Sequence, residues 1–193
     1  DQDEKYPTHF KHADGSMAHL FSSYNVKTVD RHFKWMKDYQ MDGAFLQRFG
    51  TNLKSPDHYS KRNTITHHVQ SAANKHGRCW AMMYDLTGLK EGEIERYVIP
   101  DWKALIDRVQ LKKDKAYLHH KGKPVIAVWG IGFGDERAYS LEETEELIDF
   151  LKNDPIYGGN TVILGVPSFW REQTRDATNH PRLHEVLAKA DII

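Results

Sequence analysis

Several short apolar runs of this sequence end in aromatic, arginine or carboxylate side chains. Flat aromatic faces pack against the C–H-rich faces of sugar rings, and charged groups form paired hydrogen bonds with sugar hydroxyls. The sequence lacks clustered lysines and a phosphate-cradling loop beside these residues, so a carbohydrate site is the chemistry they indicate. The candidate sugar-binding residues are Arg48, Tyr84, Asp85, Trp129 and Trp170.

Asp85 directly follows an apolar run, which predicts a partly desolvated cleft around its carboxylate. Such a group could bind hydroxyls or act as an acid or base. Two structural alternatives remain: Asp85 caps the next segment, or it pairs with Arg48. Asp135 and Glu136 lie in a loop, where solvated side chains are the better expectation. Trp170 lies in a polar loop and is expected to be exposed, whereas Trp129 fits a core position equally well.

Other catalytic chemistries find little support. The sequence has no His-Glu-x-x-His motif and no Gly-x-Ser-x-Gly elbow, and Cys79 begins an apolar run, as a structural thiol would. His119 and His120 precede a strand and are expected on its amino-terminal side, where adjacent histidines make a poor metal site. A metal-dependent hydrolase would require three of the 12 histidines to converge. We therefore predict no metal and no cofactor.

The elements that must position these residues alternate regularly. Strands are predicted after residues 42, 77, 124, 160 and 190, with one helix between successive strands. Unbroken apolar strands separated by helices are typical of parallel βαβ units with both sheet faces covered. Two architectures fit: an open doubly wound sheet, or a (β/α)₈ barrel with about five units present. Both place a site at the carboxyl ends of the strands.

Capping residues give the expected helix boundaries. Thr28 and Asn63 are predicted to cap the first two helices, and Ser140 to open a capping box with Glu143. Gly77 is expected at the C-terminal cap of the second helix. Two prolines, Pro100 and Pro181, suit first helical turns, and the polar residues 1–24 are predicted to be a loop.

Composition limits the class of protein. The 193 residues suit a single domain of residues 1–193, and 27 basic residues balance 27 acidic ones. A nucleic-acid binder usually has a basic excess, so nucleic acid is not an expected partner. No apolar run approaches the roughly 20 residues of a membrane span. One cysteine excludes an internal disulfide. Oligomeric state is not readable.

Six stretches resemble glycoside hydrolase family 99-like proteins, bacterial proteins often labelled xylosidase/arabinosidase and related to the endo-α-mannosidases. The resemblance covers nearly the whole chain from Tyr6 onward. Its stretches are residues 20–24 (LFSSY), 32–36 (HFKWM), 42–49 (DGAFLQRF), 83–88 (MYDLTG), 118–125 (LHHKGKPV) and 128–130 (VWG).

The resemblance implies a (β/α)₈ barrel acting on glycans, α-linked mannose-type or related polysaccharides, in a secreted or periplasmic setting. By matching motifs it marks Arg48, Tyr84, Asp85 and Trp129 as sugar-site residues, with His119 and His120 flanking them. It also implies that the paired catalytic carboxylates lie beyond Ile193 and that the first barrel strand is missing. A non-catalytic carbohydrate-binding protein on the same scaffold is the alternative.

A sharper geometric expectation follows from the strand ends. Arg48, Tyr84, Asp85 and Trp129 should converge on one concave surface, with Arg48 and Asp85 in contact because their strands are neighbours. The alternative is that Tyr84 and Trp129 point into the helix layer, since consecutive side chains of a strand alternate in direction.

Overall fold

The computed structural model describes residues 2–135 and 137–193. A hairpin of two antiparallel strands comes first, and an alternating series of helices and strands follows it. In chain order the elements are β1 (Tyr6–Lys11), β2 (Met17–Leu20), α1 (Val26–Asp38), β3 (Gly43–Phe49), α2 (Pro56–His76), β4 (Cys79–Asp85), α3 (Ile99–Ala104), β5 (His119–His120), β6 (Lys123–Trp129), α4 (Leu141–Asn153), β7 (Thr161–Gly165) and α5 (Leu183–Leu187). Single π-helical turns flank α3 on both sides.

The main sheet confirms the predicted α/β class with parallel strands. Its order is β3, β4, β6 and β7, all parallel, and the two-residue β5 pairs antiparallel with the start of β6. β3 is the end strand of this sheet, and no described strand pairs with its outer edge. The fifth strand expected after residue 190 is only a single parallel bridge between Ile163 and Ile192. The prediction of a loop over residues 1–24 is wrong, because β1 and β2 form a hairpin there.

Helix starts differ from prediction where a better cap lies upstream. The side chain of Asn25 accepts from the Lys27 amide, so α1 begins before Thr28. Ser55, followed by a proline, caps α2 about two turns before Asn63, which lies inside the helix. Two predictions are confirmed: Gly77 ends α2 in the left-handed conformation, and Ser140 forms the capping box that opens α4.

The two faces of the sheet differ in burial. The face that packs against the helices carries fully buried side chains such as Trp80, Met82 and Val128. On the opposite face, Phe45 and Trp129 remain 44% and 40% exposed. Burial on both faces, expected from the unbroken apolar runs, is found in the middle of the sheet, where Ala81 and Ala127 of the open face are also buried. It fails on β3 at Phe45 and at the end of β6, where Trp129 stays exposed.

A buried polar network connects the sheet to the helix layer. The Arg48 guanidinium on β3 donates to Asp101 Oδ1 at 2.7 Å and to Asn63 and Thr66 of α2. From β4, the Tyr84 hydroxyl donates to Asp101 Oδ2 at 2.5 Å. Burial raises the pKa of the Asp101 carboxyl, although the charge of Arg48 opposes the rise. The network holds β3, β4, α2 and α3 in one arrangement.

Replacing Arg48 by methionine should destabilise the protein by about 3–5 kcal/mol, because the Asp101 carboxylate then remains buried without its cation. Urea unfolding followed by circular dichroism measures the loss. The triple variant Arg48→Met/Asp101→Leu/Tyr84→Phe removes both charges and the Tyr84 hydroxyl. It should recover most of the lost stability. Lys34→Met is the matched control: its ion pair with Asp38 is exposed, so less than about 1 kcal/mol is expected. Equal losses in Arg48→Met and Lys34→Met would contradict the role of the network.

The stability deficit of Arg48→Met should shrink as pH falls from 8 to 5. A carboxyl with a raised folded-state pKa binds its proton more tightly in the folded protein, so that stabilisation is present at low pH and is lost as pH rises through the folded pKa. Without Arg48 this pKa rises further, since its opposing charge is gone. Unfolding free energies of the variant and the parent, measured across this pH range, test the sign. In the Arg48→Met background, Asp101→Asn should abolish the pH dependence of the difference in unfolding free energy from the parent protein.

Candidate glycan-binding site

Alternation along the strands divides the predicted site residues between the two faces of the sheet. Arg48 is in register with Tyr84, and Asp85 is in register with Trp129. In-register residues of parallel neighbours point to the same side, and consecutive residues point to opposite sides. The expected contact between Arg48 and Asp85 is therefore wrong. Arg48 and Tyr84 face the helices, whereas Asp85 and Trp129 face the open side.

Asp85 is held by groups other than Arg48. Its Oδ2 accepts from Gln47 Nε2 at 2.8 Å, and its Oδ1 accepts from the Thr87 amide at 2.9 Å. The bond to Thr87 closes a local turn after β4, and no helix begins at this point for Asp85 to cap. Each oxygen keeps a lone pair beyond the bond it accepts. The carboxylate is buried at the end of β4, and Gln47 from β3 fixes its orientation.

Trp129 forms an aromatic surface at the end of β6. Its ring centroid lies 5.7 Å from that of Phe133, with the two planes tilted by 48°. A Cβ atom at Gly165 on neighbouring β7 would lie only 2.1 Å from Cε3 of the indole. Gly165 therefore lets the Trp129 ring lie across the end of β7. Of the two interpretations of Trp129, the exposed one fits the structure and the core one does not.

Arg137 supports this surface from the loop after β6. Its guanidinium carbon lies 4.5 Å from the Phe133 ring centroid, and it forms paired bonds of 2.8 and 3.0 Å with Asp135. It also donates to Thr87 and to the Tyr139 hydroxyl, which in turn donates to the Gly130 carbonyl. Burial raises the pKa of Tyr139 to about 12, so the phenol stays protonated and can donate.

A cavity of about 320 Å³ adjoins this surface, between the glycine-rich loop after β6 and the start of α4. Its polar lining includes Arg137, Tyr139, Thr178 and His180. Phe133 and Arg137 were not predicted as site residues. The only sequence signal near them is the run of glycines at 130, 132 and 134, which allows the loop to turn back over the sheet.

The remaining predicted residues lie away from this surface. Trp170 is half-buried rather than exposed, because its ring packs edge-on against His184 of α5 while Arg171 covers its face. His119 and His120 pair with the first two residues of β6, at the opposite end from Trp129. Seven residues of strand separate the two ends by about 20 Å. These histidines therefore do not flank the site. Glu136 lies outside the described residues.

Residues 2–135 and 137–193 contain neither a metal-ligand cluster nor a membrane-spanning helix. No group of three or more His, Cys, Asp or Glu side chains in these ranges is arranged to hold a metal ion. Within the same ranges, no helix combines the length and the apolar character that a membrane crossing requires.

Comparison with known proteins identifies the fold. No family model and no curated protein matches the sequence. Among solved structures, the chain is similar to the GH99 endo-α-mannosidase of Bacteroides thetaiotaomicron, with a TM-score of 0.53 and 13% sequence identity. The same enzyme in complex with bis-tris propane gives a TM-score of 0.51 and 12% identity.

The match covers 80% of this chain and 40% of the enzyme's chain in the first structure, and 80% and 42% in the second. The chain thus corresponds to less than half the length of the enzyme. At this identity the likeness concerns the fold alone. The parallel sheet and its helices have the arrangement of part of a GH99-like (β/α)₈ barrel.

Proposed function

We propose that the open face of the sheet binds a glycan and belongs to a glycoside hydrolase-like domain. The observation that carries the proposal is the pairing of Trp129, 40% exposed beside Phe133, with the Asp85 carboxylate on the neighbouring strand. This combination offers an apolar ring face next to an oriented acceptor. Sugars require both, because their C–H faces and their hydroxyl edges must be satisfied together.

Each residue has a defined part in the proposal. Trp129 and Phe133 stack against sugar rings, and Asp85 accepts hydrogen bonds from hydroxyls. Gln47 positions the carboxylate in advance, so less ordering is required when the sugar binds. Arg137 keeps Phe133 in place through its contact with the ring face. Arg48 and Tyr84 act through the fold and do not touch the sugar.

The proposed substrates are α-linked mannose-type or related polysaccharides, in keeping with the resemblance and with the name of the similar enzyme. Hydrolysis by two carboxyl groups requires them to lie about 5–9.5 Å apart across the scissile bond. Asp85 is engaged by Gln47 and Thr87, and Asp135 is paired with Arg137. We therefore assign Asp85 to binding and propose that the catalytic pair comes from a later strand of the full barrel, in a secreted or periplasmic protein.

A carbohydrate-binding protein without catalysis is the second candidate, favoured by the engagement of both aspartates. Release of reducing sugar from an α-linked mannotetraose distinguishes the two. The longest natural polypeptide that contains this sequence should be used, alongside the 193-residue chain. Turnover by the longer protein supports the hydrolase, whereas binding without turnover in both supports the binding protein.

Trp129→Ala should weaken binding of an α-linked mannotetraose by about tenfold, because ring stacking and apolar contact are lost. Asp85→Asn should also weaken binding of this sugar at least about tenfold, near 1.4 kcal/mol, because a charge-assisted hydrogen bond is lost. Isothermal titration calorimetry measures both. Phe10→Ala, which removes a 63% exposed aromatic ring from β1, is the matched control and should bind normally. Unchanged affinity in Trp129→Ala, at an unchanged melting temperature, would refute the site.

Gly165→Ala should reduce affinity without changing the chemical identity of any proposed sugar-contacting side chain. The added methyl group collides with the Trp129 indole, so the ring must leave its position across β7. We expect a several-fold weaker affinity and a changed tryptophan emission spectrum. Fluorescence of the variant in a Trp129→Phe background identifies the ring that moved. A normal affinity together with a shifted Trp129 signal would show that the position of the ring does not matter for binding.

A further inference from the structure

A second cavity, of about 350 Å³, lies between the segment before α1 and the first two turns of α2. The segment before α1 contributes Phe21, Ser22 and Ser23, and α2 contributes Lys61 and Arg62. The Ser22 hydroxyl oxygen accepts from the Tyr24 amide, so its hydrogen is available to a ligand. The polar lining therefore consists of cations and hydroxyl donors.

Arg62 is a half-buried cation that no carboxylate in the described part of the chain pairs with. Its Nε donates to the neutral amide oxygen of Asn52 at 2.9 Å, and its two Nη atoms have no partner among the residues described. By contrast, Arg48 binds Asp101 and Arg137 binds Asp135. Arg62 is thus a half-buried guanidinium without a carboxylate, on the wall of a cavity. Such a group retains its capacity for paired bonds to an oxyanion.

The charge balance of this cavity favours an anion. Its single acidic neighbour, Asp57, pairs with Lys61 in an exposed contact. A larger cavity of about 550 Å³ between α1 and α2 also carries several cations, but these are already paired with carboxylates, as Lys75 is with Asp30 and Lys27 with Asp3. In the cavity beside Arg62, the Arg62 guanidinium itself is a cation that no described carboxylate pairs with.

The position of this cavity relates it to the proposed glycan site. Trp129, Asp85 and Gln47 lie on three successive strands, β6, β4 and β3, and Arg62 lies in α2, the helix that follows β3. Arg62 also borders a small void that touches Gln47. Gln47 is therefore the residue that the proposed glycan surface shares with the surroundings of Arg62.

We propose that the cavity at Arg62 binds an anionic substituent of the glycan, a phosphomonoester, sulfate ester or uronate carboxylate. That the anion belongs to a glycan rests on the proposed function, whereas the binding of an anion rests on the cavity itself. Arg62 forms paired hydrogen bonds with two oxyanion oxygens, Ser22 and Ser23 donate their hydroxyl hydrogens, and Lys61 adds charge. The substrate class is accordingly an acidic glycan.

The test compares an α-linked mannotetraose with the same sugar carrying one phosphomonoester, placed at either end in separate probes. For the parent chain, one phosphorylated probe should bind about tenfold more tightly than the neutral one, since it gains charge-assisted bonds. In Arg62→Gln this ratio should fall to about one, with neutral-probe affinity unchanged. Arg62→Lys keeps the charge but loses the paired geometry, so an intermediate ratio is expected. Lys34→Gln, which removes an exposed cation of α1, should keep the full ratio.

Inorganic phosphate alone separates the anion site from the glycan function. Its addition should shift the Arg62 Nε–H resonance saturably, and sodium chloride should weaken the effect. Saturation at Arg62 without binding of any tetrasaccharide would support the anion site and refute the glycan function. No shift, an affinity ratio near one in the parent chain, or a ratio that survives Arg62→Gln would overturn the anion site. Equal melting temperatures exclude misfolding as the cause.

Discussion

The buried ion pair between Arg48 and Asp101 is the interaction on which the rest of the structure depends. The two residues are 53 positions apart, and their side chains are almost fully inaccessible to water. Burying two charges is unfavourable unless both are paired and their remaining bonding capacity is satisfied. Tyr84, Asn63 and Thr66 supply additional bonds, although Arg48 Nε is buried without a partner among the described residues. One cluster thus joins two strands and two helices.

That cluster also determines which side chains the open face presents. With Arg48 turned toward the helices, Gln47 must point the other way, and the register of β3 with β4 brings Gln47 beside Asp85. The register of β4 with β6 pairs Asp85 with Trp129, so Tyr84 faces the helices and Trp129 the open side. A slip of one residue would bury Gln47 and expose Arg48. The composition of the proposed glycan surface is therefore a consequence of a contact on the reverse side of the sheet.

The alternation of apolar runs and helical periods was enough to predict the parallel sheet, the end of α2 at Gly77 and the capping box at Ser140. It could not determine side-chain direction, because runs such as that of β4 are apolar on both faces and carry no period-two signal. Arg48 was misassigned for this reason: its partner Asp101 lies in a helix far along the chain. Phe133 and Arg137 depend on how a glycine-rich loop folds back, which local sequence does not encode.

The free edge of β3 has a consequence for the behaviour of the chain in solution. End strands are normally protected from pairing by outward lysines, prolines or bulges. β3 has none of these in its sequence GAFLQRF, and its single charge is turned into the buried cluster. Its backbone edge, flanked by the exposed rings of Phe45 and Phe49, is a template for an added strand. Self-association through this edge would grow with protein concentration and would extend the sheet in its own plane beyond β3.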